Sequence, residues 1–148
     1  MPPKAAPAPA AIVREGSKYM YIHCGSVNQP IIITTNSNCR IDVILDYCKK
    51  EFIKKLSLAI KTINEQPPMK DENGEIINNT ELVLLQQVYE KLSQVTEVKS
   101  MDLIDINSGN GLNCSTNLAN VAYESIPPHQ NYKLGVIIDG TLQSLLIS

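Results

Sequence analysis

The chain has 148 residues, enough for one domain with a sizeable core. With 43% hydrophobic and 19% charged residues it has a globular balance, and a formal net charge of −2 argues against a broadly basic nucleic-acid-binding surface. No apolar run reaches the roughly 18 residues of a membrane helix, and the start lacks the apolar core of a secretory signal. An intracellular soluble protein is therefore expected.

Residues 1–17 read as an extended arm. Met1-Pro2-Pro3-Lys4-Ala5-Ala6-Pro7-Ala8-Pro9-Ala10 alternates Pro and Ala, which favours a polyproline-like conformation and offers no core residues. The domain is expected over residues 18–148. Tyr19–Cys24 and Pro30–Thr35 are β-favouring runs separated by the turn formers Gly25–Gln29, a β-hairpin pattern. Asn36-Ser37-Asn38 then stops the second strand and supplies a helix N-cap. Behind it, Ile41, Ile44, Leu45, Cys48, Phe52, Leu56, Ile60 and Ile63 fall on one side of a helix, predicted over Arg40–Asn64 and stopped by Pro67-Pro68.

The segment Gln66–Asn79 is polar, with Asn73-Gly74 as a tight turn. Asn79 or Thr80 caps a second helix whose apolar stripe is Leu82, Leu85, Val88, Tyr89 and Leu92. Met101–Ile106 returns to strand, Asn107–Gly111 is a turn, and Leu112–Ser115 reads as a short return strand. Tyr132–Ile138 is the last clear strand. Asp139-Gly140 is a two-residue hairpin signal, so Leu142–Ile147 is expected to fold back as one more strand.

Catalytic and metal patterns are missing from the sequence. Cys24, Cys39, Cys48 and Cys114 form no CxxC pair and, with His23 and His129, offer no zinc-ligand spacing. The cysteines read as small buried apolar residues. His23 and Cys24 alternate to opposite faces of a strand and so cannot pair as base and nucleophile. Asp102 and Asp105, three apart in a strand, are separated in the same way. Asp105, Asn107 and Gly109 depart from a calcium loop, which needs a ligand at the third of these positions. There is no GxSxG elbow, GxxxxGK[ST] loop or HExxH pair. No enzyme, cofactor, metal or small-molecule substrate is expected.

One surface feature stands out. Five of the thirteen Lys and Arg residues lie between positions 49 and 61, against one acid, Glu51. Lys50, Lys54 and Lys61 cluster opposite the apolar stripe, while Lys49 and Lys55 flank it. Such a face is either merely solvated or a docking patch for an acidic protein surface, where charge steers approach. The candidate partner-binding residues are thus Lys50, Lys54 and Lys61, with Pro2, Pro3, Lys4, Pro7 and Pro9 of the arm. The apolar Leu145-Leu146-Ile147 segment needs either a partner or a place in the core.

The order hairpin, helix, strand, short return and final strand resembles the ubiquitin-like β-grasp: an α+β fold, its mixed sheet of four or five strands packed on one main helix. An inserted second helix would fall within about 53–99. More narrowly, Met20-Tyr21-Ile22 with Gly25 and Gln29, Asn36-Ser37-Asn38-Cys39, Ile44-Leu45-Asp46-Tyr47-Cys48-Lys49-Lys50, Met101-Asp102-Leu103-Ile104-Asp105 with Gly109, and Tyr132-Lys133-Leu134 resemble a small family. That family is typified by a human X-chromosome open-reading-frame protein and carries an interleukin-2 receptor gamma chain label drawn from gene neighbourhood. It has no assigned catalytic residues. By analogy with related ciliary and flagellar proteins, the resemblance implies a structural interaction protein of the axoneme, partnered by tubulin or other axonemal proteins. The alternative is a soluble ubiquitin-like adaptor in cytoplasmic signalling. Conjugation is not expected, because the closing Leu145-Leu146-Ile147-Ser148 lacks a di-glycine. A PB1-like pairing through Lys18 would need a denser acidic loop than Asp102 and Asp105 supply.

Overall fold

The computed structural model describes residues 19–127 and 130–148. The arm residues Pro2, Pro3, Lys4, Pro7 and Pro9, together with Lys18 and His129, lie outside the described residues. The fold is α+β, a mixed sheet of six strands with two helices. Strands β1 (Tyr19–Ser26) and β2 (Pro30–Asn36) form the expected antiparallel hairpin, from Tyr19 opposite Asn36 to Gly25 opposite Pro30. Alternation turns Met20, Ile22 and Cys24 inward beside Ile33 and Thr35, while Tyr19, Tyr21 and Ile32 are more than a third exposed.

Helix α1 (Ile41–Asn64) runs without a break through position 53 and buries Ile41, Ile44, Leu45, Cys48, Phe52 and Leu56. Its start departs from expectation. Asn36 accepts from the Asn38 N–H at 2.8 Å, making a local turn, and the cap position is Arg40, whose side chain caps nothing. The first two helical N–H groups, of Ile41 and Asp42, donate instead to the Asn120 and Leu118 carbonyls, each at 2.9 Å. A distant loop thus satisfies donors that a helix cannot pair internally. Helix α2 (Thr80–Ser93) is capped as its sequence predicts, the Asn79 side chain accepting from the Leu82 N–H at 3.1 Å. The Ser26 hydroxyl donates to Glu81 at 2.8 Å and ties that helix start to the hairpin.

Strands β3 (Met101–Asp105) and β4 (Asn131–Ile138) are antiparallel, and β4 runs parallel to β1, giving the order β2-β1-β4-β3. The expected return strand at Leu112–Ser115 does not form. After a bridge between Ile104 and Gly111, and a bond from the Leu112 N–H to the Leu103 carbonyl at 2.9 Å, the chain turns into a 3-10 segment at Cys114–Thr116. What bends it is Asp102, which is only 3% exposed. Its carboxylate accepts from the backbone N–H groups of Leu103 at 2.8 Å, Cys114 at 3.0 Å and Asn113 at 3.2 Å. A carboxylate that draws in loop donors competes with a second ladder. Gly111 is what lets the loop come so close, since a Cβ there would lie 2.6 Å from Asp102 Oδ2 and from Leu142 Cδ2.

The sheet has six strands rather than the four or five expected, because Leu142–Ile147 is not one strand. Asp139 and Gly140 take φ of 52° and 77°, the tight turn that the dipeptide predicts. Beyond it, β5 (Thr141–Ser144) pairs antiparallel with β4, and β6 (Leu146–Ile147) pairs parallel with β1. Between them the fully buried Leu145 donates its N–H to Leu134 of β4 at 2.8 Å and accepts from the Gly25 N–H of β1 at 2.7 Å. Strands β1 and β4 are direct partners only over Tyr21–His23 and Asn131–Lys133, and the returning segment fills the gap where they part. The apolar 145–147 segment thereby finds its place in the core.

Leu145→Ala should cost about 2–5 kcal/mol in urea unfolding, the usual range for a buried leucine with no room to collapse, whereas Leu146→Ala, at a partly buried position, should cost less than half as much. Asp102→Ala should cost about 3 kcal/mol, since it strands buried N–H donors at roughly 1–3 kcal/mol each. Equal losses at Leu145 and Leu146 would contradict the wedge geometry.

Candidate protein-docking site

Helix α1 positions the lysines by periodicity. At about 100° per residue, its buried stripe leaves Lys50, Lys54 and Lys61 on the opposite, exposed side. Asp42 in the first turn and Lys61 in the last both complement the helix dipole. At the C-terminal end the Glu65 N–H donates to the Lys61 carbonyl at 3.0 Å and the Gln66 N–H to that of Ile63 at 3.1 Å, before Pro67 stops the helix.

The five lysines are not equivalent. Lys49 donates its ammonium to the Val95 carbonyl, across from the end of α2, and so serves the fold. Lys50 pairs with Asp46 one turn earlier at 2.8 Å, with both side chains at least half exposed. Such a pair contributes only about 0.3–0.5 kcal/mol, but it balances the Lys50 charge locally. Lys54, Lys55 and Lys61 are exposed and have no ion-pair partner among the described residues. The uncompensated positive potential is therefore centred on the second half of α1, further along than Lys50.

Apolar side chains that a wheel drawn for the core overlooks share this face. Val43 is 54% exposed, Tyr47 46% and Leu58 64%. They are spaced among the lysines at positions that a core-seeking pattern discards, which is the signal that sequence reading missed. Beside this face two cavities open between β2 and α1. The larger, about 390 Å³, is lined by Ile31, Lys55, Leu58, Ala59 and Thr62, with Glu81 and Leu85 of α2 behind. The smaller, about 300 Å³, is lined by Thr34, Thr35, Cys39, Val43, Ile44 and Tyr47.

The remaining candidates take structural places. His23 bonds Asn131 at 2.9 Å on the outer side of the sheet, while Cys24 is buried on the inner side. Asp105 caps its own turn, accepting from the Asn107 N–H at 2.8 Å. Cys24, Cys48 and Cys114 are buried as expected, but Cys39 is exposed. The reason is local: Cys39 sits in the turn between β2 and α1, where its carbonyl accepts from the Ala122 N–H at 2.8 Å and its side chain is left at the cavity rim. Burial pushes the Cys48 and Cys114 thiols up to about 12 and raises Cys24 as well, so these three stay protonated at neutral pH. No group of three or more His, Cys, Asp or Glu suited to a metal occurs among the described residues, and none of their helices is long and apolar enough to cross a membrane.

No protein-family model, curated protein or solved structure matches the chain.

An aromatic disulfide reagent at neutral pH should therefore titrate one of the four thiols in the native protein and all four after unfolding. Cys39→Ser should abolish the native reaction. A second native thiol reacting at a comparable rate would contradict the burial of Cys24, Cys48 and Cys114.

Proposed function

We propose that this protein is a non-enzymatic structural interaction protein of the axoneme, a member of the ubiquitin-like family that its motifs resemble. It docks on an acidic surface, such as that of tubulin or another axonemal protein, through the exposed side of α1. The observation that carries this reading is the set of uncompensated lysines, Lys54 and Lys61 with Lys55 beside them, on one side of a 24-residue helix. With the exposed Val43, Tyr47 and Leu58 this face runs about 27 Å along the helix from Val43 to Lys61, a scale suited to a protein surface rather than to a small ligand. The β-grasp assignment is supported by the hairpin followed by α1, and by the central parallel pairing of β1 with β4. The arm, with Pro2, Pro3, Lys4, Pro7 and Pro9, acts as a tether.

A cytoplasmic adaptor is the competing reading, favoured by Tyr19, Tyr21 and Ile32 standing exposed on the outer side of β1 and β2. Extraction of cilia separates the two. The tagged full chain, expressed in its own cells, is expected in the detergent-demembranated axonemal pellet at low ionic strength and released as salt rises. The variant Lys54→Glu, Lys55→Glu, Lys61→Glu should be depleted there at least about fivefold, the sum of three exposed ion pairs at roughly 0.3–1 kcal/mol each. Its circular dichroism should match that of the wild type. Absence of the wild-type protein from cilia would remove the axonemal reading and leave the adaptor.

A further inference from the structure

We infer that the groove between β2 and α1 binds an extended segment of a partner protein, which adds to the sheet as a strand next to β2. The segment places apolar side chains at positions i and i+4 in the two cavities and carries carboxylates beyond the second. This site adjoins the lysine face but does not rest on residence in the axoneme.

Three independent features lead to it. The first is the edge. In the order β2-β1-β4-β3, strand β3 has its free side occupied by its own loop, through the Ile104–Gly111 bridge and the Leu112 N–H to Leu103 carbonyl bond. The outer side of β2 meets no strand among the described residues. In a strand every second residue directs its N–H and C=O away from its neighbour, so β2 offers a row of unpaired main-chain groups. Pro30-Ile31-Ile32-Ile33-Thr34-Thr35-Asn36 contains no charged residue. Apart from Pro30, it carries none of the devices that normally keep an edge from pairing.

The second feature is spacing. Ile31 lines the larger cavity and Thr35 the smaller one, and both have the inward parity of the buried Ile33. Both cavities draw α1 walls from one arc of about 80° on the helical wheel, Ile44 and Tyr47 for the smaller and Lys55, Leu58 and Thr62 for the larger, with Val43 beyond that arc on one side and Ala59 and Ile63 beyond it on the other. The cavities thus lie on one flank of α1, four strand residues or about 13 Å apart. A strand laid along β2 turns every second side chain toward that flank, so residues i and i+4 reach the two cavities while i+1 and i+3 point away. This is the usual division of labour in strand addition: main-chain bonds supply affinity and alternate pockets supply specificity. The Thr35 hydroxyl is buried without a hydrogen-bond partner, and Thr35 is only 6% exposed.

The third feature is charge. Lys54, Lys55 and Lys61, none in an ion pair among the described residues, belong to the half of α1 that walls the larger cavity. They favour carboxylates in the segment just beyond the side chain held there, and they disfavour a second copy of β2, which has no charge to offer them.

The test is a titration of the isotopically labelled full chain with the synthetic peptide Leu-Thr-Val-Thr-Leu-Asp-Asp, followed by amide chemical shifts at low salt. Saturable shifts confined to β2 and the facing flank of α1 are expected. Moving the second leucine to i+3 should weaken binding at least about tenfold, the equivalent of one leucine left unburied. Replacing both aspartates by lysine should weaken it severalfold, a difference that salt abolishes. Leu58→Asp, at an exposed wall position, should lose binding with an unchanged spectrum elsewhere. Equal binding of the two leucine spacings, shifts on the outer side of the sheet, or no shifts at millimolar peptide would overturn the proposal. So would concentration-dependent shifts in β2 without peptide, which would place a second copy on the edge. No axoneme enters this experiment, so its failure leaves the docking of the lysine face untouched.

Discussion

The fold turns on the way β1 and β4 part company. They are parallel neighbours over only three residues each, and parallel strands that splay leave unpaired main-chain groups inside the sheet. Leu145 resolves this by bonding to both, its N–H to β4 and its carbonyl to β1, while its side chain is wholly buried. The pairing of β5 to one strand and of β6 to the other follows from that single junction. Because the wedge keeps β4 central, β3 falls to one margin and β2 to the other.

The two margins are treated differently, and the difference is chemical. At β3 the buried carboxylate of Asp102 gathers the Asn113 and Cys114 N–H groups, which folds the following loop back across the strand. At β2 no loop is drawn back across Pro30–Asn36: the chain turns at Ser37–Arg40, where the Ser37 and Cys39 carbonyls accept from the Tyr123 and Ala122 N–H groups, and then enters α1. That helix then carries positive charge alongside the open margin. Within it, Lys49 is committed to the Val95 carbonyl and Lys50 to Asp46, so a count of lysines overstates the charge on offer, while its location near Lys54 and Lys61 is sharper than the count suggests.

Much of the local structure was legible in the sequence. The apolar stripe and C-terminal stop of α1, the Asn79 cap of α2, the hairpin and the Asp139-Gly140 turn each follow from side chains within a few residues. The features that escaped depend on distant partners. The start of α1 is closed by the carbonyls of Leu118 and Asn120, which no capping pattern reveals. Reading Leu142–Ile147 as one strand does not place the break at Leu145, because that break arises from two strands competing for the same segment. Cys39 is exposed because of where a turn lands, not because of its own chemistry. The same division holds for the site: the lysine side of α1 could be read from periodicity, but the cavities beside β2 require the strand order.

The separation of β1 from β4 also says how the molecule must be made. Tyr21 lies opposite Asn131, so the centre of the sheet closes a loop of roughly 110 residues. Closing so long a loop costs entropy before any non-local contact repays it, and such topologies form slowly. The hairpin, α1 and α2 can pack together first, but β3 has no strand partner until β4 arrives, and during that interval β1 as well as the uncharged β2 presents an open edge. The time between synthesis and closure, rather than the finished fold, is then the period in which this chain is most exposed to wrong pairing.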